Sequence, residues 1–494
     1  MGQVKEETVR GAKWVMLERL APQPLVFVYS MILARFVTPE EMGIIGLTAI
    51  FFGIAGTLAS SGFSSALIRK LDRTEEDCNT MFWFNLGMSA LMSLCLFLMA
   101  PWFVEFYGQP DLLWLTRCSA IMLLLGCCSS IHWVLYAARR DFKTPAIILA
   151  AGTIISLPIG LLLAYRGYGV WAVMGQQVAS NLIPLIAVWC VSPWKPRFLF
   201  STASFRELFG FGSKLAAGGL LHTLCSELQT FIIGLYYSAA SLGFFNKGNR
   251  VARILPSNFT NMVLTVSYPV LAPLQHDHAR LTRAYRMYLC TSTLPVAWVS
   301  LTMMALAGPF VSLCYGEDWL ACTFFVQAVT LVCAFDPIYN LNLNLLKVLG
   351  RSDIYLKLEV VKKAIGIILL LYTATISVEA ICWSSVIGMQ IVIACNCYCS
   401  GKVIGLTWWR QQRDCMPFYI LAALAAAPGY ALSCLTDWPD LAKLAVGGMS
   451  SFALYFGYLA WRRDEALKQY LGILMEKPFF RRIAEKTGIA RLAA

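Results

Sequence analysis

The run Cys78–Val104, CNTMFWFNLGMSALMSLCLFLMAPWFV, contains no charged side chain. About 20 apolar residues in α-helix cross a bilayer's hydrocarbon core, so this stretch alone is long enough to span one. Gly167–Trp194, Met287–Gly316 and Ala380–Gly401 are equally free of charge. Of the 494 residues, 58% are hydrophobic and 14% are charged, against roughly 25% charged in a soluble domain. The expected fold class is all-α, a polytopic membrane protein with about 14 transmembrane helices between residues 14 and 461. Spans at roughly 14–37, 213–236, 250–272 and 320–346 each contain charge and are the least clean. The start carries mixed charge (Lys5, Glu6, Glu7, Arg10, Lys13) and no small-residue cleavage site, so the first span reads as retained.

Orientation follows from where Lys and Arg fall. Alternate loops hold Arg69, Lys70 and Arg73, then Arg139, Arg140 and Lys143, then Lys195, Arg197 and Arg206; the loops at Arg280 and Arg283, at Lys347 and Arg351, and at Lys402 and Arg410 continue the series. The intervening loops Glu105–Asp111, Gly316–Trp319 and Ser377–Val378 contain neither residue. Both termini therefore fall on the basic, cytoplasmic side. The net charge of +12 is accounted for by anionic lipid headgroups, not nucleic acid.

Self-comparison reveals a repeat. Phe36–Gly43 aligns with Tyr236–Gly243, and Pro101–Gly108 with Pro309–Gly316, at offsets of 200 and 208. An even number of spans lies in the offset, which predicts parallel repeats. The expected organisation is an N-terminal six-helix lobe at 1–200, an interfacial linker helix with a C-terminal six-helix lobe at 201–405, an appended pair at 406–461, and a tail at 462–494 that reads as an interfacial or solvated helix. Two capping boxes mark helix starts, Thr38-Pro-Glu-Glu41 and Ser204-Phe-Arg-Glu207, the second assigned to the linker.

A charge at the bilayer centre costs about 2.5–3.5 kcal/mol on insertion scales, so charges at span depth face a wet cavity or a partner. Glu18 and Arg19 precede Pro22 and Pro24; they read either as cavity-lining groups beside a hinge or as side chains snorkelling to water. Glu227, with Cys225, Leu228 and Phe231 around it, is a candidate for carrying a proton or cation; an interhelical hydrogen bond is the plainer reading. Lys247, Arg250 and Arg253 recur at i, i+3 and i+6, an arrangement suited to a diphosphate or simply solvated at the interface. Asp336-Pro337 interrupts a span and is followed by Asn340, Asn342 and Asn344, which suggests a polar cavity wall, although helix–helix hydrogen bonding also accounts for the amides. Lys362 and Lys363, and Arg139 with Arg140, read as cytoplasmic-face anchors.

The seventeen cysteines lie mostly inside apolar spans with no Cys-x-x-Cys pair, so they are expected as small apolar filler. His276-Asp-His278 reads as a solvated turn, and no metal or cofactor is expected. Neither a Walker A motif nor a nucleophile–base pair is present, and the expectation is a non-enzyme.

Leu33-Ala-Arg-Phe-Val-Thr-Pro-Glu-Glu-Met-Gly43 and Ser61–Ile68 resemble the first two spans of bacterial polysaccharide exporters. Ile233–Gly243 with Asn246-Lys-Gly-Asn-Arg250 resembles their seventh-to-eighth span region, and Tyr268–Leu271 and Val348–Asp353 also fit. The chain is thus similar to the Wzx-type flippases for lipid-linked oligosaccharide, within the multidrug/oligosaccharidyl-lipid/polysaccharide exporter superfamily. That resemblance implies two six-helix lobes around a central cavity, an undecaprenyl-diphosphate-linked repeat unit as substrate, and alternating access driven by H⁺ or Na⁺ in the bacterial cytoplasmic (inner) membrane. It also implies membrane lipids and polysaccharide polymerase machinery as partners. The positions matching its diphosphate-binding cations are Arg19, Arg35, Lys247 and Arg250; coupling roles for Glu18, Glu227 and Asp336 match no motif and rest on their depth. The alternatives are a multidrug exporter of the same superfamily, which would want an acidic, aromatic site, and a membrane polymerase or ligase, which would want a long external loop.

Overall fold

The computed structural model describes residues 22–60, 63–70, 72–139 and 141–475, and among these only helical elements form. The chain divides into two compact units, Met1–Gly243 and Phe244–Ala494. The first contains α1 (Gln23–Leu33), α2 (Pro39–Ser60), α3 (Phe63–Arg69), α4 (Glu75–Tyr107), α5 (Leu112–Ala138), α6 (Lys143–Tyr165), α7 (Val170–Val191), α8 (Thr202–Tyr236) and the first turn of α9 (Ala239–Leu271). The second holds the rest of α9, then α10 (His278–Ala305), α11 (Ala307–Tyr315), α12 (Cys322–Ala334), α13 (Asp336–Val348), α14 (Ser352–Thr373), α15 (Val378–Ile404), α16 (Trp408–Leu435), α17 (Asp440–Trp461) and α18 (Glu465–Met475).

Among the described residues, ten helical stretches are long and apolar enough to cross a membrane: α2, α4 to α7, α10, α12 together with α13, and α15 to α17. The protein is therefore a multi-span membrane protein. Among the described residues, α8, α9 and α14 are as long as their neighbours but fall outside that set. Lys357, Glu359, Lys362 and Lys363 all fall in α14, so this helix joins those that the sequence marks as least clean.

Helix ends follow local chemistry. Thr38 and Glu41 form the expected box: the Thr38 amide donates to Glu41 Oε2 at 2.8 Å and the Glu41 amide to Thr38 Oγ1 at 3.3 Å. The second expected box needs correction. Ser201, not Ser204, caps α8 by accepting from the Ser204 amide at 3.3 Å. Glu207 instead reaches Lys70 Nζ at 2.9 Å. Helix α8 then runs unbroken for 35 residues, about 52 Å at 1.5 Å per residue, so the expected linker helix and the seventh span are one rod. No proline interrupts it, and its glycines cost only about 1 kcal/mol each. Helix α8 packs with the first unit, which extends to Gly243.

The repeat has a physical counterpart. A Cβ on Gly43 would overlap the carbonyl oxygen of Ala239, and a Cβ on Gly243 would overlap the carbonyl oxygen of Pro39. Those four residues are equivalent at the offset of 200, so the two aligned segments meet within the first unit by the same contact taken in both directions. The other aligned pair, Gly108 and Gly316, ends α4 and α11 with φ of +66° and +95°, where any other residue is strained.

In the second unit, α10 is the central element. Its Tyr285, Leu281 and Leu289 are fully buried with Ile338, Leu341 and Ile393. Tyr285 donates to Gln411 Oε1 at 3.0 Å. The α16–α17 pair docks on α10 through Tyr455, which donates to the Leu294 carbonyl at 2.9 Å, and through Trp298, which donates to Ser451 Oγ at 3.1 Å. Helix α18 joins this pack through buried Ala466, Leu467 and Tyr470, so that part of the tail is a docked helix. All seventeen cysteines are free thiols.

Candidate functional site

The polar constellation of the second unit starts on α9. Gly248 lets this helix approach α12 closely, since a Cβ there would lie 2.6 Å from Phe325 Cβ and 3.2 Å from the Phe325 carbonyl carbon. One residue earlier, Lys247 is 9% exposed and lies over the rings of Tyr315 and Trp319 at 4.2 and 5.3 Å. An ammonium over two aromatic faces is held by their quadrupoles. Arg250 and Arg253 are exposed. The three cations expected as one row are thus divided: one is seated among aromatics and two face outward.

Arg253 Nε donates to Asn249 Oδ1 at 2.7 Å, which fixes the guanidinium along its own helix. Its charge acts on Asp336, across the gap between α9 and the α12–α13 junction. That junction is the interruption expected from Asp336-Pro337. Helix α12 stops at Ala334 and α13 restarts at Asp336, with proline at the second position where a missing amide costs nothing. Asn340 donates to the Asp336 carbonyl at 2.9 Å, a bond within the first turn of α13 next to the break. Asn342 is structural: fully buried, it donates to Cys397 Sγ at 3.3 Å and accepts from Ser400.

One turn along α13, Tyr339 continues the polar line. Lys362 of α14 lies 4.6 Å from the Tyr339 ring centre and donates to its hydroxyl at 3.4 Å. The same ammonium pairs with Glu359 at 2.5 Å. Only 6% of Lys362 is exposed, so it is a buried, paired cation and not the cytoplasmic anchor expected from sequence. Polar side chains thus follow along α13, with Asp336 under the charge of Arg253 and Tyr339 bonded to Lys362, which pairs with Glu359.

In the first unit, Glu227 is half-buried in the C-terminal third of α8 and has neither hydrogen bond nor ion pair among the described residues. One turn before it, the Thr223 hydroxyl lies 3.0 Å from that of Thr57 on α2, which ties the two helices together beside the carboxylate. Arg35 is exposed just beyond α1. Glu18 and Arg19 lie outside the described residues.

Sequence reading missed two charged features. Arg117 of α5 lies over Phe97 and Trp114 at 4.6 and 5.1 Å; its signal was a lone arginine inside an apolar span. The second is a clamp at the basic end. Lys70 bridges Asp77 of α4 and Glu207 of α8 at 3.0 and 2.9 Å, and Arg197 pairs with Glu75 at 2.9 Å. The hydrogen bonds to Glu207 and then Asp77 hold the Lys70 pKa above its ordinary value. At the neighbouring corner, partial burial opposes ionisation of Asp141, but hydrogen bonds from Thr144 and the amide of Lys143 outweigh it and lower its pKa.

Comparison with known proteins places this geometry in context. A family model described as a polysaccharide biosynthesis protein matches residues 32–324, more than half of the chain. The succinoglycan biosynthesis transport protein ExoT of Rhizobium meliloti (strain 1021) is 26% identical over 317 residues, covering 64% of each chain, so just under two thirds of that relative is spanned. The teichuronic acid biosynthesis protein TuaB of Bacillus subtilis (strain 168) is 23% identical over 356 residues, 72% of this chain and 74% of that one. Among solved structures, the lipid II flippase MurJ in an inward closed conformation superposes with a TM-score of 0.70, covering 91% of this chain and 99% of its own at 14% identity. At that identity the likeness establishes the fold alone.

Proposed function

Because this chain belongs to the polysaccharide biosynthesis protein family, we propose that it is a flippase moving an undecaprenyl-diphosphate-linked oligosaccharide repeat unit across the bacterial cytoplasmic membrane. In this reading fourteen spans form two six-helix lobes and a C-terminal pair, with α1, α8, α9 and α14 supplying the four spans beyond the ten apolar ones and both termini cytoplasmic. The observation that carries it is the exposure of Arg250 and Arg253 on α9, with the charge of Arg253 acting on Asp336 at a helix break. A diphosphate carries charge on two adjacent groups, and two guanidiniums one turn apart match it with charge-assisted, bidentate hydrogen bonds. A soluble-facing pair would need no carboxylate at the same depth. Here Asp336 supplies a counter-charge when the substrate is absent.

The coupling ion is H⁺ or Na⁺, and Glu227 and Asp336 are its carriers. Glu227 suits the role because it has no cation partner among the described residues, so a proton or metal ion can neutralise it without first breaking an ion pair. Each carboxylate would be neutral or ion-bound while its helix changes position, which avoids moving a bare charge through a medium of low dielectric. No chemical bond in the substrate is made or broken.

The test is deletion of the gene followed by mass spectrometry of lipid-linked sugars. Build-up of one undecaprenyl-diphosphate oligosaccharide on the cytoplasmic side is the expected result and names the substrate. Unchanged lipid-linked sugars together with increased sensitivity to cationic drugs would favour the multidrug reading.

A further inference from the structure

A half-open groove in the second unit has a volume of about 1250 Å³ and lies among α10, α16, α17 and α18. It exceeds the roughly 300–1,000 Å³ of ordinary small-molecule pockets. One end is charged and the other apolar. On α16 the lining runs from Asp414 through Ile420 to Leu424, a rise of about 15 Å, or half of a ~30 Å hydrocarbon core. Ile420 and Leu424 are 55% and 66% exposed, so the apolar end opens sideways into the membrane. A polar head and one leaflet's depth of apolar wall describe a lipid.

The charges select the headgroup. Arg286 and Asp414 satisfy each other through two bonds of 2.6 and 2.7 Å. What remains is Arg283 and Arg462 with Asp464 and Glu465, two cations and two anions that form no ion pair among the described residues. An anionic headgroup would satisfy the arginines and be repelled by the carboxylates. An uncharged one would leave all four groups unused. We propose that this groove binds a membrane phospholipid bearing both a phosphate and a primary amine, the chemistry of phosphatidylethanolamine. The phosphate meets Arg283 and Arg462, and the ammonium meets Asp464 and Glu465.

Helix α18 makes the site a built one. Gln469 accepts from Thr291 at 2.8 Å, and Asp464 accepts from the Ala466 amide at 2.9 Å, so the two acids are presented by a helix pinned to α10. A bound lipid therefore ties α18 to the membrane.

The experiment uses delipidated full-length protein in detergent, titrated with phosphatidylethanolamine, phosphatidylglycerol of the same acyl chains and a polyprenyl phosphate, and read by native mass spectrometry. Phosphatidylethanolamine is expected to bind about tenfold tighter than phosphatidylglycerol, the worth of one charge-assisted contact. The double variant D464N/E465Q keeps the cap and should abolish that preference, whereas R283A/R462A should weaken both phospholipids. L424W fills the apolar end without touching charge and should also reduce binding, which decides the matter if a charge variant fails to fold. Equal binding of the two phospholipids, preference for the polyprenyl phosphate, phosphatidylethanolamine binding unaffected by L424W, or a rise in lipid binding on removal of residues 476–494 would each overturn the assignment, the last by showing that the chain's own tail fills the groove.

Discussion

Two arginines on one helix separate binding from folding. Arg250→Ala removes an exposed cation, and Arg253→Ala removes another together with its bond to Asn249 and its charge on Asp336. Each is expected to lower export by about 10- to 100-fold, the equivalent of roughly 1.5–3 kcal/mol for a charge-assisted contact, with normal membrane insertion. Surface polysaccharide and protein level, measured in the same cells, check this; full export in both variants would remove α9 from the substrate path. Lys362 behaves differently. Lys362→Ala leaves Glu359, with 24% of its side chain exposed, facing an apolar surround without its partner. The loss is expected at or below the low end of the ~3–5 kcal/mol for breaking a buried pair, because Glu359 keeps some water. The double variant Lys362→Met/Glu359→Gln should recover most of it in thermal unfolding in detergent. At Gly43 and Gly243 even one methyl group meets a backbone carbonyl that no rotamer can clear. Either glycine changed to alanine should destabilise by ~1–3 kcal/mol, and the paired substitution should cost less than the sum if the two contacts open together.

Among the helices, α4 and α8 show how charged ends are managed where a span leaves the membrane. The Thr74 side chain accepts from the Asp77 amide at 3.2 Å while Asp77 accepts from the Thr74 amide at 2.9 Å, and the same Asp77 holds Lys70. Thr74→Ala should therefore cost about 1 kcal/mol as a lost cap, visible as a lowered unfolding temperature. The sign of the pH effect follows from Lys70. Its folded pKa is raised, so the clamp's contribution is complete below the ordinary lysine value of about 10.4 and is lost as pH rises through the folded value. Asp141 is lowered, so its contribution is present above the ordinary aspartate value of about 3.9 and is lost as pH falls through the folded one. Neither group should make stability vary between pH 5 and 9. The start of α4 was readable as Thr-Glu-Glu-Asp beside the basic loop, yet the reach of Lys70 to Glu207, 137 positions away, was not. Ser204 and Ser201 both stand three residues before an acceptable helix position, and only the folded backbone selects between them.

For the whole molecule the testable property is coupling. Glu227→Gln and Asp336→Asn remove a titratable charge while keeping shape and hydrogen-bonding capacity. If these carboxylates carry the driving ion, both variants should lose most export driven by an H⁺ or Na⁺ gradient in vesicles, yet still bind substrate. Gradient-driven export equal to that of the unaltered protein would assign coupling elsewhere.

The amino-acid sequence by itself determined that this chain is a multi-span helical membrane protein with a basic side and an internal repeat. Those properties follow from burial of uncharged blocks and from Lys and Arg placement, both of which are local and additive along the chain. It also marked Asp336-Pro337 as the place where a span breaks, and only packing separates this proline from Pro101, Pro158 and Pro184, which lie inside continuous helices. Tertiary structure decided the partners. Lys247 lies on Tyr315 and Trp319, Lys362 lies on Tyr339 with Glu359, and α8 belongs with the helices before it, since contacts between residues tens of positions apart depend on which faces the packed helices turn toward one another. A charge inside a span announces a need for compensation; only packing supplies the compensating group.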